Sequence, residues 1–208
     1  IKVPLIIYVP EKYQNFDKTI KFDSRLISFL DIGPSILELA GIPIPSYMDG
    51  SPQLYNKNVQ HRQFIYASKD RLDDFEFRER AVRDSRFNYI KNYMPNRPGA
   101  THLAYRDQML LMQSLWENHE AGKLNEIQSR WFDERPEHEL YDIENDPYET
   151  KNLAYVNDYK EQLDRMTAAL SEWLSTTADM SDEPEIQMAR KFWPNQTQPV
   201  TDMPTFRI

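Results

Sequence analysis

Ser68-Lys69-Asp70-Arg71-Leu72-Asp73-Asp74, followed by Arg78 and Arg80, is the run of side chains best equipped for chemistry. An arginine fork matches the oxygens of a sulfate or carboxylate, and a neighbouring aspartate accepts from sugar hydroxyls. The run follows the apolar Phe64-Ile65-Tyr66-Ala67, so it reads as a loop at a strand's C-terminal end, where rigid scaffolds place binding groups. The competing reading is an exposed, self-neutralising loop of ion pairs, which contributes little energy. A second cluster, Asp142, Glu144 and Asp146, surrounds Pro147. Alternating acids can converge on a calcium ion, but this run lacks the central glycine and distal glutamate of an EF-hand. An Asx-capped turn accounts for the same residues.

Other chemistry is sparse. His61, His102, His119 and His138 form no i, i+4 pair and no HExxH motif. Glycines are too few and scattered for a phosphate-binding loop, and there is no GxSxG elbow. Without cysteine there is no thiolate ligand, nucleophile or disulfide framework. The residue types therefore predict neither a catalytic centre nor a metal centre within these 208 residues.

The formal charge of −8 argues against a nucleic-acid partner, which needs a basic face. No apolar run approaches the roughly 18 residues of a membrane span. Charge is unevenly spread. From Arg62 to Arg97 there are nine Lys or Arg against six Asp or Glu, a balance of +3 that leaves −11 elsewhere. An anion-facing surface is expected in that window, although a mixed-charge solvated surface has the same composition.

The elements that must position these groups follow from periodicity. Val3 to Val9 reads as a buried strand and Glu11 to Lys21 as a polar connection. Ser24 to Ala40 holds a helix with Asp31 as N-cap, Pro34 in its first turn and Gly41 at C′. The proline-rich stretch from Gly41 to Asn58 reads as a crossing loop between subdomains. Phe64–Ala67, Arg80–Arg83, Phe87–Ile90 and Glu139–Ile143 read as four short strands, with a hairpin turn at Asp84-Ser85. Tyr105, Met109, Met112 and Trp116 share a face of a helix ending at Gly122. Val156, Tyr159, Leu163, Met166, Leu170 and Trp173 form a stripe on a second helix, from about Val156 to Ser175, that should cover the sheet. Glu185 to Trp193 adds a helical turn or two, and Asn195 to Ile208 reads as extended.

Several segments together resemble the sulfatases of the alkaline-phosphatase-like superfamily. Val3-Pro4-Leu5-Ile6 resembles the family's VPLI strand, and Ser28 to Gly41 its S-x-x-D-x-x-PT-x-L-x-x-AG helix. Asp49-Gly50-Ser51 falls at its GxS turn, and Arg80 to Ile90 is similar to its RAVR-x-x-R-x-KYI hairpin. Glu139-Leu140-Tyr141-Asp142, then Asn145-Asp146-Pro147 and Glu149 to Ala154, resembles the C-terminal ELYD–NDP signature. Asp70 to Asp73 and Asn92 to Pro95 look like a subgroup of polysaccharide sulfatases and sulfamidase relatives.

The resemblance implies an α/β remnant, one strand and helix of an alkaline-phosphatase-like domain, over 1–58. An α+β subdomain over 59–177 would follow, with a four-stranded antiparallel sheet packed by a C-terminal helix, and an extension over 178–208. It implies part of a sulfatase acting on sulfate esters or N-sulfates of a sulfated carbohydrate. Asp70, Arg71 and His102 would belong to one wall of the substrate cleft. The family's C/S-x-P-x-R motif, source of its formylglycine nucleophile, does not occur here, and the family's calcium ligands come from segments upstream of the VPLI strand. Calcium and formylglycine are thus expected in the complete enzyme but not on this segment. The partner would be the N-terminal catalytic part of the same enzyme, and the isolated chain would be inactive. A periplasmic, extracellular or lysosomal setting is what the family suggests. A non-catalytic glycan- or partner-binding module, or part of a related phosphoesterase, remains an alternative reading.

Overall fold

A computed structural model of the chain describes residues 5–8, 10, 24–54, 61–72 and 75–193. The chain divides into two compact units, 1–63 and 64–208.

In the first unit, a 3-10 turn, Phe29–Asp31, leads into α1, Ile32–Leu39. The turn is closed by a reciprocal cap: Ser28 Oγ accepts from the turn's backbone, and Asp31 Oδ2 accepts from Ser28 N at 2.8 Å. Asp31 is therefore not the side-chain N-cap of α1 that the spacing predicts. It is fully buried, and its Oδ1 also accepts from Ser51 N at 3.0 Å and Arg62 Nη2 at 2.7 Å. Its carboxylate serves three groups outside α1, so none of its capacity goes to the helix. Ser35 Oγ donates to Asp31 O at 2.6 Å and accepts from Gln53 N at 3.1 Å. These bonds tie Ser51 and Gln53, within the expected crossing loop, back to the start of α1. Gly50 lies against Leu30: a Cβ there would sit 1.9 Å from the Leu30 carbonyl oxygen. Gly41 ends the helix at φ +67, as its C′ position demands.

Leu5 to Tyr8, the described part of the expected N-terminal strand, joins no sheet. A strand exists only by pairing, and no described residue pairs with this run. Val3, Pro4, Val9 and the connection from Glu11 to Lys21 lie outside the described residues, as does the expected extended segment Asn195 to Ile208.

The second unit is built on one antiparallel sheet in the order β1 (Ile65–Leu72), β2 (Phe75–Arg83), β3 (Phe87–Asn92) and β4 (His138–Asp142). Register places Tyr66 opposite Val82, Val82 opposite Tyr89, and Tyr89 opposite Leu140, which sets these side chains on one face. Against that face lies α4, Lys160–Thr176, and Val82, Phe87, Tyr89, Leu140, Met166 and Leu170 form the core. Tyr66 stacks on Trp173 with ring centroids 4.9 Å apart. The stripe on α4 is thus a core face. Its first two members, Val156 and Tyr159, precede the helix, in and beside a 3-10 turn over Asn157–Tyr159.

Between β3 and β4 run α2, Leu110–Glu120, and a short α3, Glu126–Ser129. Met112 and Trp116 lie on α2, but Tyr105 and Met109 precede it, because the backbone is extended at Met109 and forms turns before it. Gly122, at φ +64, follows the helix. Beyond α4 the chain reaches α5, Glu185–Phe192. Among the described residues no helix is long and apolar enough to cross a membrane.

Candidate substrate-facing site

The segment read as a binding loop is strand. β1 continues through Ser68 to Leu72, which pairs with Phe75; Asp73 and Asp74 lie outside the described residues. The pairing partner supplied by β2 extends a strand that the polar sequence alone would end at Ala67. Lys69 faces Glu79 and Arg71 faces Glu76, so the register shifts around Asp70 and β2 carries one residue more than β1 there, a bulge. Bulges re-aim side chains and are enriched beside functional sites.

Asp70 Oδ1 lies 2.7 Å from Arg80 Nη1. Arg80 is 2% exposed and forms a second, two-pronged pair with Asp179: Nε to Oδ2 at 3.0 Å, Nη2 to Oδ1 at 2.8 Å. Burial works against the Arg80 charge, but its hydrogen bonds to Asp179 and Asp70 outweigh it and hold the guanidinium protonated. The same Arg80 bond holds the Asp179 carboxyl well below the usual carboxylate range, despite its partial burial. Beside this pair, Arg78 bonds Ser181 Oγ at 3.0 Å and pairs with Asp182. Two arginines of β2 therefore strap the segment after α4 onto the sheet.

Asp70 keeps 53% of its side chain exposed, and Arg71 beside it is also exposed, opposite Glu76 in the register. The structure thus presents an aspartate oriented by a buried arginine next to an exposed guanidinium. Such a pair can accept a sugar hydroxyl and donate to an oxyanion.

His102 is placed apart from them. It lies in the segment between β3 and α2, where it engages Asp107 and Trp116, and no hydrogen bond joins it to Asp70.

The acidic turn is a capped turn. Asp146 accepts from Thr150 Oγ1 at 3.0 Å and Lys151 N at 2.8 Å. Asp142 Oδ2 accepts from Arg86 Nη2 at 2.6 Å and Asn145 Nδ2 at 2.9 Å. The Arg86 bond, with help from Asn145 and against burial, lowers the Asp142 carboxyl to about 2. Among the described residues no three His, Asp or Glu side chains converge as a metal-holding group.

A further polar network went unseen in the sequence. On the sheet face away from α4, Arg135 joins Glu79 at 2.6 Å and Glu139 at 2.7 Å, and Tyr141 donates to Glu139 at 2.6 Å. Burial and the Glu139 carboxylate push the Tyr141 hydroxyl far above its ordinary value. The only sequence signal was charge at strand positions that alternate with the apolar core positions.

No family model matches the chain. Over its whole length it is 38% identical to an ulvan-active sulfatase of Formosa agariphila, of which it covers 35%. It is 24% identical over 81% of its length to an arylsulfatase of Clostridium perfringens, covering 27% of that protein. A solved structure of a protein in complex with its substrate D-glucosamine-2-N,6-O-disulfate is similar over 74% of this chain and 25% of that one, at 20% identity and a TM-score of 0.47. The chain spans about a third of the length of the curated relatives it matches. The chain is thus similar to sulfatases over its whole length and matches a C-terminal portion of them.

Proposed function

We propose that this chain is the C-terminal part of a sulfatase that hydrolyses sulfate esters, or N-sulfates, of a sulfated carbohydrate. Identity of 38% over the whole of this chain, though over only 35% of the relative, to an ulvan-active sulfatase carries this reading. In it, the chain supplies scaffold and one wall of the substrate cleft. Arg71 faces an oxyanion of the sugar, Asp70 accepts a sugar hydroxyl while Arg80 holds it in place, and His102 contributes from a separate segment. The nucleophile and calcium ligands belong to the N-terminal catalytic part of the same enzyme, the partner this segment works with. The domain limits of this reading are 1–58, 59–177 and 178–208.

The test is an assay of the 208-residue chain, beside a longer polypeptide carrying the catalytic part, on an aryl sulfate and ulvan-derived oligosaccharides with calcium present. The longer polypeptide should release sulfate and the chain alone should not. Turnover by the chain alone after repurification overturns the division of labour. Sulfate release by neither, with phosphate esters cleaved instead, overturns the sulfatase assignment.

A further inference from the structure

His102 Nδ1 lies 3.0 Å from Asp107 Oδ2. A carboxylate can only accept, so Nδ1 carries the proton and donates, and in the neutral ring Nε2 is left with a lone pair. The ring's plane is set independently. His102 stacks on Trp116 of α2 with centroids 3.9 Å apart and planes 13° apart, and Phe132 braces Trp116 edge-on at 4.9 Å. Asp107 is itself held from both sides. Its N–H donates to Leu103 O at 2.9 Å, its carbonyl accepts from Gln113 Nε2 of α2 at 2.9 Å, and Leu103 is 2% exposed. Yet the His102 side chain remains 66% exposed. Next to it, the hydroxyl of buried Thr101 has no hydrogen-bond partner, nor do Asp107 Oδ1, Arg106 Nη1 and the Trp116 indole N–H.

An incidental surface pair would need neither the stack nor the anchored aspartate, because long exposed pairs contribute little and move freely. Here the imidazole is held by both a hydrogen bond and a ring stack while its side chain stays exposed. Carboxylates fix the tautomer and ring orientation of metal-ligating histidines in the same way.

We propose that Asp107 is a positioning residue. It fixes His102 in the Nδ1–H tautomer, with the ring seated on Trp116, so that Nε2 accepts a hydroxyl of the bound sugar. This rests on the reading that the chain forms a wall of a carbohydrate cleft.

The experiment uses the 208-residue chain labelled with 15N and two readouts. Long-range imidazole spectra report the His102 tautomer, and titration with an ulvan-derived sulfated oligosaccharide reports affinity. The wild type should show the Nδ1–H tautomer. Asp107→Asn should lose that fixed state and bind about tenfold more weakly, and Asp107→Glu should restore most of both. Thermal unfolding of each variant checks that it folds. A wild-type Nε2–H tautomer, or an unchanged one in Asp107→Asn, overturns the positioning role by itself. The expected tautomer together with unaltered affinity in His102→Ala overturns the cleft-wall reading for His102, and the role of Asp107 with it.

Discussion

Arg80 and Asp179 form a two-pronged ion pair, at 3.0 and 2.8 Å, across 99 residues of sequence. Because Arg80 is almost fully buried and also holds Asp70, its loss strands two carboxylates at once. Removing one partner of a buried pair costs about 3–5 kcal/mol, and the partial exposure of Asp70 and Asp179 places Arg80→Ala at about 2–3 kcal/mol. Arg80→Lys keeps the charge but cannot make the fork, so it should fall between Ala and wild type. Urea unfolding of the three proteins measures this. Equal midpoints for all three would show that the strap contributes nothing.

Acid should unfold the chain through its paired carboxylates. Asp142, lowered to about 2 from an ordinary value near 3.8, stabilises the fold fully above 3.8 and loses that contribution as pH falls toward 2. Asp179 is shifted in the same direction, so its contribution is also lost on the acid side. The urea midpoint should therefore decline steeply below about pH 4, on top of a shallower loss below about 6.5 from His138, whose protonation burial disfavours. Asp142→Asn should start lower at neutral pH and decline less. A parallel decline in wild type and variant would remove Asp142 from the account.

How much of this could be read beforehand depended on the range of the interaction. The Leu163–Met166–Leu170 stripe announces a core helix because its signal is local and periodic. Gly41 and Gly122 marked helix ends because positive φ selects glycine within one turn. The four strands were visible, but the length of β1 was not. Ser68 to Leu72 is polar, and its strand state comes from pairing with β2 rather than from its own composition. Asp31 looked like a helix cap because Ser51 and Arg62, the groups that claim it, lie 20 and 31 residues away. Asp179 was invisible as a partner of Arg80 for the same reason. Among the site residues, Asp70 and Arg71 stand out by type, whereas the buried Arg80 that orients Asp70 lies on the neighbouring strand and leaves no local signal.

The first unit should be sensitive at Gly50. A Cβ there would overlap the Leu30 carbonyl and approach Asp31 N at 2.9 Å, and both neighbours are backbone that cannot swing aside. Gly50→Ala must therefore displace the Ser51–Asp31 and Gln53–Ser35 bonds, at a cost of about 1–3 kcal/mol. Hydrogen exchange at Ser51 and Gln53 should accelerate in the variant while amides of β2 and β3 stay protected. Unchanged exchange at Ser51 would mean that the backbone accommodates a methyl group after all.

The last prediction separates Asp70 from Arg71 in ligand binding. On the proposed wall, Arg71 meets an oxyanion and Asp70 a neutral hydroxyl, and charge-assisted bonds are roughly twice as strong as neutral ones. Loss of a hydrogen bond to a charged group costs about 1.5–3 kcal/mol, so Arg71→Ala should weaken a sulfated oligosaccharide by about 10- to 100-fold. The effect should shrink as salt is raised and vanish against the desulfated sugar. Asp70→Asn should weaken both sugars by a similar, smaller factor, because its partner carries no charge. Arg80→Lys should reproduce part of the Asp70 effect, since Arg80 orients that carboxylate. Titration calorimetry with the paired sugars decides it: equal losses for both sugars in Arg71→Ala would place the oxyanion contact elsewhere.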